Sequence, residues 1–104
     1  MKAPIDKYRD PAGHRKRLRE RFLRSRREGL PDYELLELLL TYTLPRINTK
    51  PIAKALLHKF GTIVNVFQQP NERLKEIHGI GPETSTFFRV FQDCLTRCVH
   101  ATYS

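Results

Sequence analysis

The sequence predicts a small all-α domain, a compact bundle of about six helices led by a basic one. Three observations carry that expectation. Apolar residues recur at steps of three and four, the spacing that lines one side of a helix. Gly and Pro fall between these stretches, at Gly29-Leu30-Pro31, Pro45, Gly61, Pro70 and Gly79-Ile80-Gly81-Pro82, where helices stop and start. No stretch makes a convincing strand. A chain of 104 residues fits one domain and can bury a core without a staple.

Taken in order, Met1–Ala12 holds two prolines and no periodicity, and is expected to be a flexible lead-in to a domain over 13–104. His14–Glu28 reads as a helix poor in apolar residues. Leu18 and Phe22 dock one face with Leu23 beside them, and seven arginines between Arg15 and Arg27 cover the rest. Gly29 is its expected stop, with Pro31 following. The next helix is expected from Asp32, as cap, to Tyr42, with Glu34 in the first turn where the dipole favours it. Leu35, Leu36, Leu38, Leu39 and Leu40 surround most of its circumference, so it should be central to the core. Tyr33 and Tyr42 read as core or rim aromatics.

Pro45-Arg46-Ile47-Asn48 is a connector. Asn48 or Thr49 caps a third helix with Pro51 in its first turn, and Gly61 stops it after Phe60. Thr62 caps a short helix holding Ile63, Val64, Val66 and Phe67. The β-branched residues there also permit a strand, but length and setting favour a helix. Asn71 caps another short helix that buries Leu74 and Ile77. A long last helix then runs from Pro82 to about Val99, with Phe87, Phe88, Phe91, Leu95 and Val99 at helical steps. Stretches 35–60 and 72–95 share an outline, a weak internal repeat of about 40 residues.

The net charge of +8 is unevenly spread. Residues 1–29 hold eleven Lys/Arg against four Asp/Glu, and residues 30–104 hold eight against seven. A basic arm on a near-neutral body points to a polyanion, with nucleic acid ahead of an anionic membrane surface. Arg in place of Lys favours bidentate phosphate contact. No apolar run approaches the ~20 residues needed to span a bilayer, and the N-terminus lacks a signal-peptide core. Cys94 and Cys98, four apart on one expected helix, suit neither a crosslink nor a secreted disulfide framework. Free thiols imply a reducing compartment, so a cytoplasmic protein with no membrane partner is expected. With His100 these cysteines supply three zinc ligands at most, poorly aligned, so no metal or other cofactor is expected.

The sharpest local signal is Leu74-Lys75-Glu76-Ile77-His78-Gly79-Ile80-Gly81-Pro82-Glu83-Thr84. Two glycines between helices permit a tight turn and leave its amides uncovered. Ile80 can plug into the core, and Pro82 suits the first helical position, where its missing amide costs nothing. The product is a nest of amides at a helix N-terminus, a site for a phosphate oxygen. The plainer reading is a helix–helix turn with a Gly stop and a Pro start. The candidate nucleic-acid contacts are His78, Gly79, Ile80, Gly81 and Thr84 of the turn, with Arg15, Arg17, Arg21 and Arg24 of the basic helix.

Ile77–Thr84 resembles the helix-hairpin-helix motif of DNA repair proteins. Almost the whole chain resembles the N-terminal domain of the bacterial RadC family. The resemblance rests on Gly13-His14-Arg15-x-Arg17-Leu18-Arg19-Glu20-Arg21-Phe22, on Asp32–Leu40, on Lys50-Pro51-x-Ala53-Lys54-Ala55-Leu56-Leu57, on Phe60-Gly61 and on the hairpin. It covers residue 13 to about 95 and implies a tandem helix-hairpin-helix-like fold, a role in DNA repair or recombination, and DNA held by its phosphate backbone without regard to sequence. Full-length RadC proteins carry a second domain resembling JAB1/MPN metalloproteases, with a His-x-His pair and an Asp on zinc. No two of His14, His58, His78 and His100 are separated by one residue, so that domain is missing and no hydrolase activity carries over. The chain is a fragment or a short stand-alone relative, and the missing domain is one possible partner. Relatives of the motif often carry a basic residue near position 83 and Ala at 85, where this chain has Glu83 and Ser85.

Two other classes stay open. DNA glycosylases resemble this chain around the hairpin. Their lyase-type members place a lysine nucleophile where Glu83 stands, and need a downstream Asp that only Asp93 could supply, within the same helix. Their iron–sulfur subset needs four cysteines. The expectation is therefore a protein that is not an enzyme. A protein–protein docking module of the same fold, without nucleic-acid binding, is the alternative, and an exposed apolar patch would favour it.

Overall fold

The computed structural model describes residues 13–25 and 29–103, and among these it holds six helices and no strand. They are α1 His14–Arg24, α2 Asp32–Thr41, α3 Lys50–Phe60, α4 Ile63–Phe67, α5 Asn71–Leu74 and α6 Pro82–Tyr103. The all-α architecture and the order of elements are those expected. The lead-in over Met1–Ala12 lies outside the described residues, as do Arg26, Arg27 and Glu28.

Several boundaries follow directly from local chemistry. The Thr62 hydroxyl accepts the Asn65 N–H at 3.1 Å and caps α4. Gly61, at φ 91°, closes α3 with its N–H on the Leu57 carbonyl at 2.8 Å. Pro82 takes the first position of α6.

Other boundaries differ from expectation. α1 ends at Arg24, well before Gly29, because Ser25 turns extended and its hydroxyl donates to the Phe22 carbonyl at 2.6 Å. Asp32 and Asn71 are first helical residues and not caps. Pro31 and Pro70 precede them in extended backbone, and their carbonyls accept the first helical bonds, from Leu35 N–H at 2.9 Å and Leu74 N–H at 3.1 Å. At α3 the capping contact comes from Asn48, one of the two residues expected to supply it, whose Oδ1 accepts the Lys50 N–H at 3.1 Å. Thr49 turns inward instead and donates to the Glu37 carbonyl at 2.8 Å. α6 runs on past Val99 to Tyr103.

One core joins α2 through α6. Leu36 and Leu40 of α2 meet Ile52, Leu56 and Phe60 of α3, and Val66, Leu74, Ile80 and Phe88 close the cluster. Each such side chain, fully buried, contributes about 1.5–3 kcal/mol. Phe67 sets its ring edge-on against Phe88, centroids 5.0 Å apart, and ties α4 to α6.

The core is not where a helical pattern alone would draw it. In α2, Leu35 is 37% exposed while Glu37 is 2% exposed. The Glu37 carboxylate is held inside by His14, Nε2 to Oε2 at 2.7 Å. In α6 the apolar stripe outruns the body it packs on, so Leu95 and Val99 lie exposed. α1 buries only Leu18 fully, with Phe22 and Leu23 exposed. One buried leucine cannot fix a helix's rotation and tilt, so polar contacts must. His14 meets Glu37. The Arg15 guanidinium donates to the carbonyls of Thr41 at 3.0 Å, Leu44 at 2.7 Å and Ile47. Arg21 grips Glu34 in a bidentate pair at 2.9 and 2.6 Å.

Candidate functional site

The turn between α5 and α6 is built from the core outward. Ile77 donates its N–H to the Leu74 carbonyl and Ile80 donates to the Ile77 carbonyl, both at 3.1 Å, which winds the chain tightly after α5. Ile77 and Ile80 are both buried, so the turn is pinned by two apolar side chains, Ile80 as the plug expected of it. His78 lies exposed on the surface of the turn.

The two glycines do different work. Gly79 sits at φ 100°, and a β-carbon there would meet Ile52 Cδ1 at 2.7 Å. It is required by conformation and by the close approach of α3. Gly81 has no positive φ, and a β-carbon there would meet nothing within 4 Å. What Gly81 provides is open space at the N-terminus of α6. The first backbone bond of that helix is Ser85 N–H to the Gly81 carbonyl at 3.0 Å, so the Glu83 and Thr84 amides precede the intrahelical ladder. Thr84 is 2% exposed as a whole residue, with its hydroxyl 3.5 Å from that of Thr43, whereas Glu83 before it lies exposed.

That Thr43 contact sets the α2–α3 connector, residues 42–49, against the start of α6. The same connector receives the Arg15 guanidinium on Leu44 and Ile47. The N-terminal end of α1, the connector and the hairpin are thus contiguous. The turns of the helix pairs α2–α3 and α5–α6 meet through Thr43 and Thr84.

The four candidate arginines of α1 part company. Arg15 is a strut holding three backbone carbonyls, and Arg21 is clamped to Glu34, so both guanidiniums are engaged within the fold. Arg17 and Arg24 are exposed, with Arg24 about 14 Å along the axis from Arg15 at helical rise. Arg46 was not among the residues expected, yet it lies exposed on the connector beside the hairpin, with Lys50 exposed at the start of α3. The signal available was its place in a Pro-containing loop, where binding residues concentrate. Cys94 and Cys98 lie exposed with free thiols on α6. Among the described residues no three His, Cys, Asp or Glu side chains converge, and no helix is long and apolar enough to cross a membrane.

The Arg21 clamp has a pH signature. Its hydrogen bond holds the Glu34 carboxyl below the usual carboxylate range, aided by the guanidinium charge and opposed by partial burial. A carboxyl with a depressed folded-state pKa stabilises the fold above its unfolded value, about 4.3, and the contribution is lost as pH falls through the folded value. Arg21→Gln should therefore lower the melting temperature at about pH 7, and the difference should shrink steadily below about pH 4. A difference that does not change with pH would mean that Arg21 acts by packing alone.

Fold and site together define a small all-α domain of two helix pairs with their turns adjoined and a basic helix strapped across one of them. A family profile, UPF0758 N-terminal, matches residues 12–86, and the chain belongs to that family. A UPF0758 protein of Fusobacterium nucleatum is 48% identical over 81 residues, covering 78% of this chain and 35% of its own length. A UPF0758 protein of Ruegeria pomeroyi is 44% identical over 88 residues, covering 85% of this chain and 39% of its own. The chain thus spans little more than a third of these relatives. No solved structure matches it.

Proposed function

We propose that this domain is a non-catalytic module that holds DNA by its phosphate backbone, without reading sequence, in a repair or recombination role of the kind implied by its resemblance to RadC N-terminal domains. The hairpin of α5–α6 acts as a helix-hairpin-helix motif. The observation that carries this reading is the open N-terminus of α6. Gly79 and Ile80 lock the turn into the core while Gly81 leaves space in front of the amides of a 22-residue helix. Such a helix end carries partial positive charge and free donors, which suit a phosphate oxygen. Arg46 on the adjoining connector and Arg17 near the start of α1 add positive charge on the side of that opening, and Arg24 extends the basic surface along α1 away from it. Glu83, exposed in the first turn of α6, weakens the local field and sets the affinity below what the amides alone would give.

Contacts of this kind read no base edges, so affinity should vary little among duplex sequences. The test is a salt titration of binding to duplex, forked and single-stranded DNA. The logarithm of the association constant should fall linearly with the logarithm of salt. Replacing Arg17, Arg24 and Arg46 together with Gln should flatten that slope by about two to three units. An unchanged slope would show these side chains to be solvated surface and would remove the arginines from the interface.

A further inference from the structure

A groove of about 430 Å³ runs between α1, α2, α4 and α6, and no residue of the hairpin or of α3 lines it. Its walls are Phe22 and Leu23 of α1, Leu35 and Leu39 of α2, Phe67 of α4 and Phe91 of α6. Leu23 is 72% exposed, and Leu35 and Phe22 lie open beside it, which explains why α1 and α2 leave apolar residues in water. A hollow of this size holds several side chains. One charged residue lines it, Arg19, and none of the lining residues is acidic. Lys16, also exposed, precedes Arg19 by three positions on the same stripe of α1 that ends in Leu23. The groove is therefore carbon along its floor and positive along its α1 rim.

We propose that this groove docks an amphipathic helix of a partner protein, with apolar anchors at i, i+3, i+4 and i+7 in the groove and acidic residues on the flank that faces Arg19 and Lys16. The helix-in-groove mode needs an apolar trough with a charged edge to set orientation, and both are present. Charge complementarity selects the partner over a second copy of this chain. A chain of net charge +8 whose groove edge is basic repels its own basic α1. Nucleic acid is disfavoured at this face because the walls offer hydrocarbon and few donors.

The test is selection from a displayed library of 16-residue helices with Leu at the four anchor positions and randomised flanks, using the full chain as bait. Sequences with Asp or Glu along one flank should be enriched, and their synthetic peptides should bind at least about tenfold more weakly to Arg19→Glu, as expected for a reversed interfacial charge. The same selection on Arg19→Glu should enrich Lys or Arg on that flank. Leu23→Ser, at an exposed position that leaves the core intact, should abolish binding to both. Failure to enrich any helix, enrichment without a flank preference, or peptides indifferent to Leu23→Ser would overturn the proposal. So would sedimentation showing a dimer that Leu23→Ser dissociates, since the groove would then belong to a second copy.

Discussion

Replacing Arg15 with Lys is expected to destabilise the domain by about 3 kcal/mol, because a point-charge ammonium cannot reproduce a planar fork that serves three carbonyls. The guanidinium donates to Thr41, Leu44 and Ile47, and so ties the α2–α3 connector to α1. Lys would retain about one of these bonds and leave the others partly buried and unmatched. In a domain of this size the loss should lower the melting temperature by roughly 15 °C, read by circular dichroism. Arg24→Lys, on the exposed end of the same helix, should leave the melt unchanged. The opposite pattern is informative. An Arg15→Lys protein that melts normally, paired with an Arg15→Gln protein that loses about one unit of salt slope, would make Arg15 a phosphate contact and not a strut.

The two glycines of the hairpin should respond oppositely to the same substitution. Gly79→Val places a β-carbon 2.7 Å from Ile52 Cδ1 in backbone at φ 100°. Ile52 is itself buried, so its methyl has nowhere to go, and the fold should lose about 2–4 kcal/mol. Gly81→Val meets neither a clash nor a forbidden φ, so helical content and melting should stay close to the parent's. Its side chain would nevertheless stand before the Glu83 and Thr84 amides, and DNA affinity should fall by about tenfold or more, the worth of one charge-assisted contact. Glu83→Lys should act in the other direction and raise affinity, by exchanging a repelling charge for an attracting one. A folded Gly81→Val protein that binds DNA as well as the parent would reduce the hairpin to a structural turn, and the docking groove would then be the better guide to function.

These contrasts show where sequence reading reaches its limit. The sequence by itself determined the helical class, the order of the helices and the stops and starts made by Gly61, Thr62 and Pro82, because those signals act within a turn or two of their own backbone. It also marked the hairpin and the plugging role of Ile80, since a Gly-Ile-Gly-Pro run constrains the chain locally. Only the tertiary structure decided which side of each helix meets the core. Glu37 is buried and Leu35 exposed because α1 crosses α2 on the side where His14 can reach the carboxylate, a contact 23 residues apart in sequence. The seven arginines of the basic stretch look alike by composition, yet packing makes Arg15 a strut and Arg21 a clamp and leaves Arg17 and Arg24 on the surface. Gly79 and Gly81 look equivalent until Ile52 is found against one and open space against the other. Leu95 and Val99 continue a faultless helical stripe, but periodicity records only which residues share a face. Whether another element stands opposite that face depends on the lengths and directions of the other helices, and here α6 runs out beyond them.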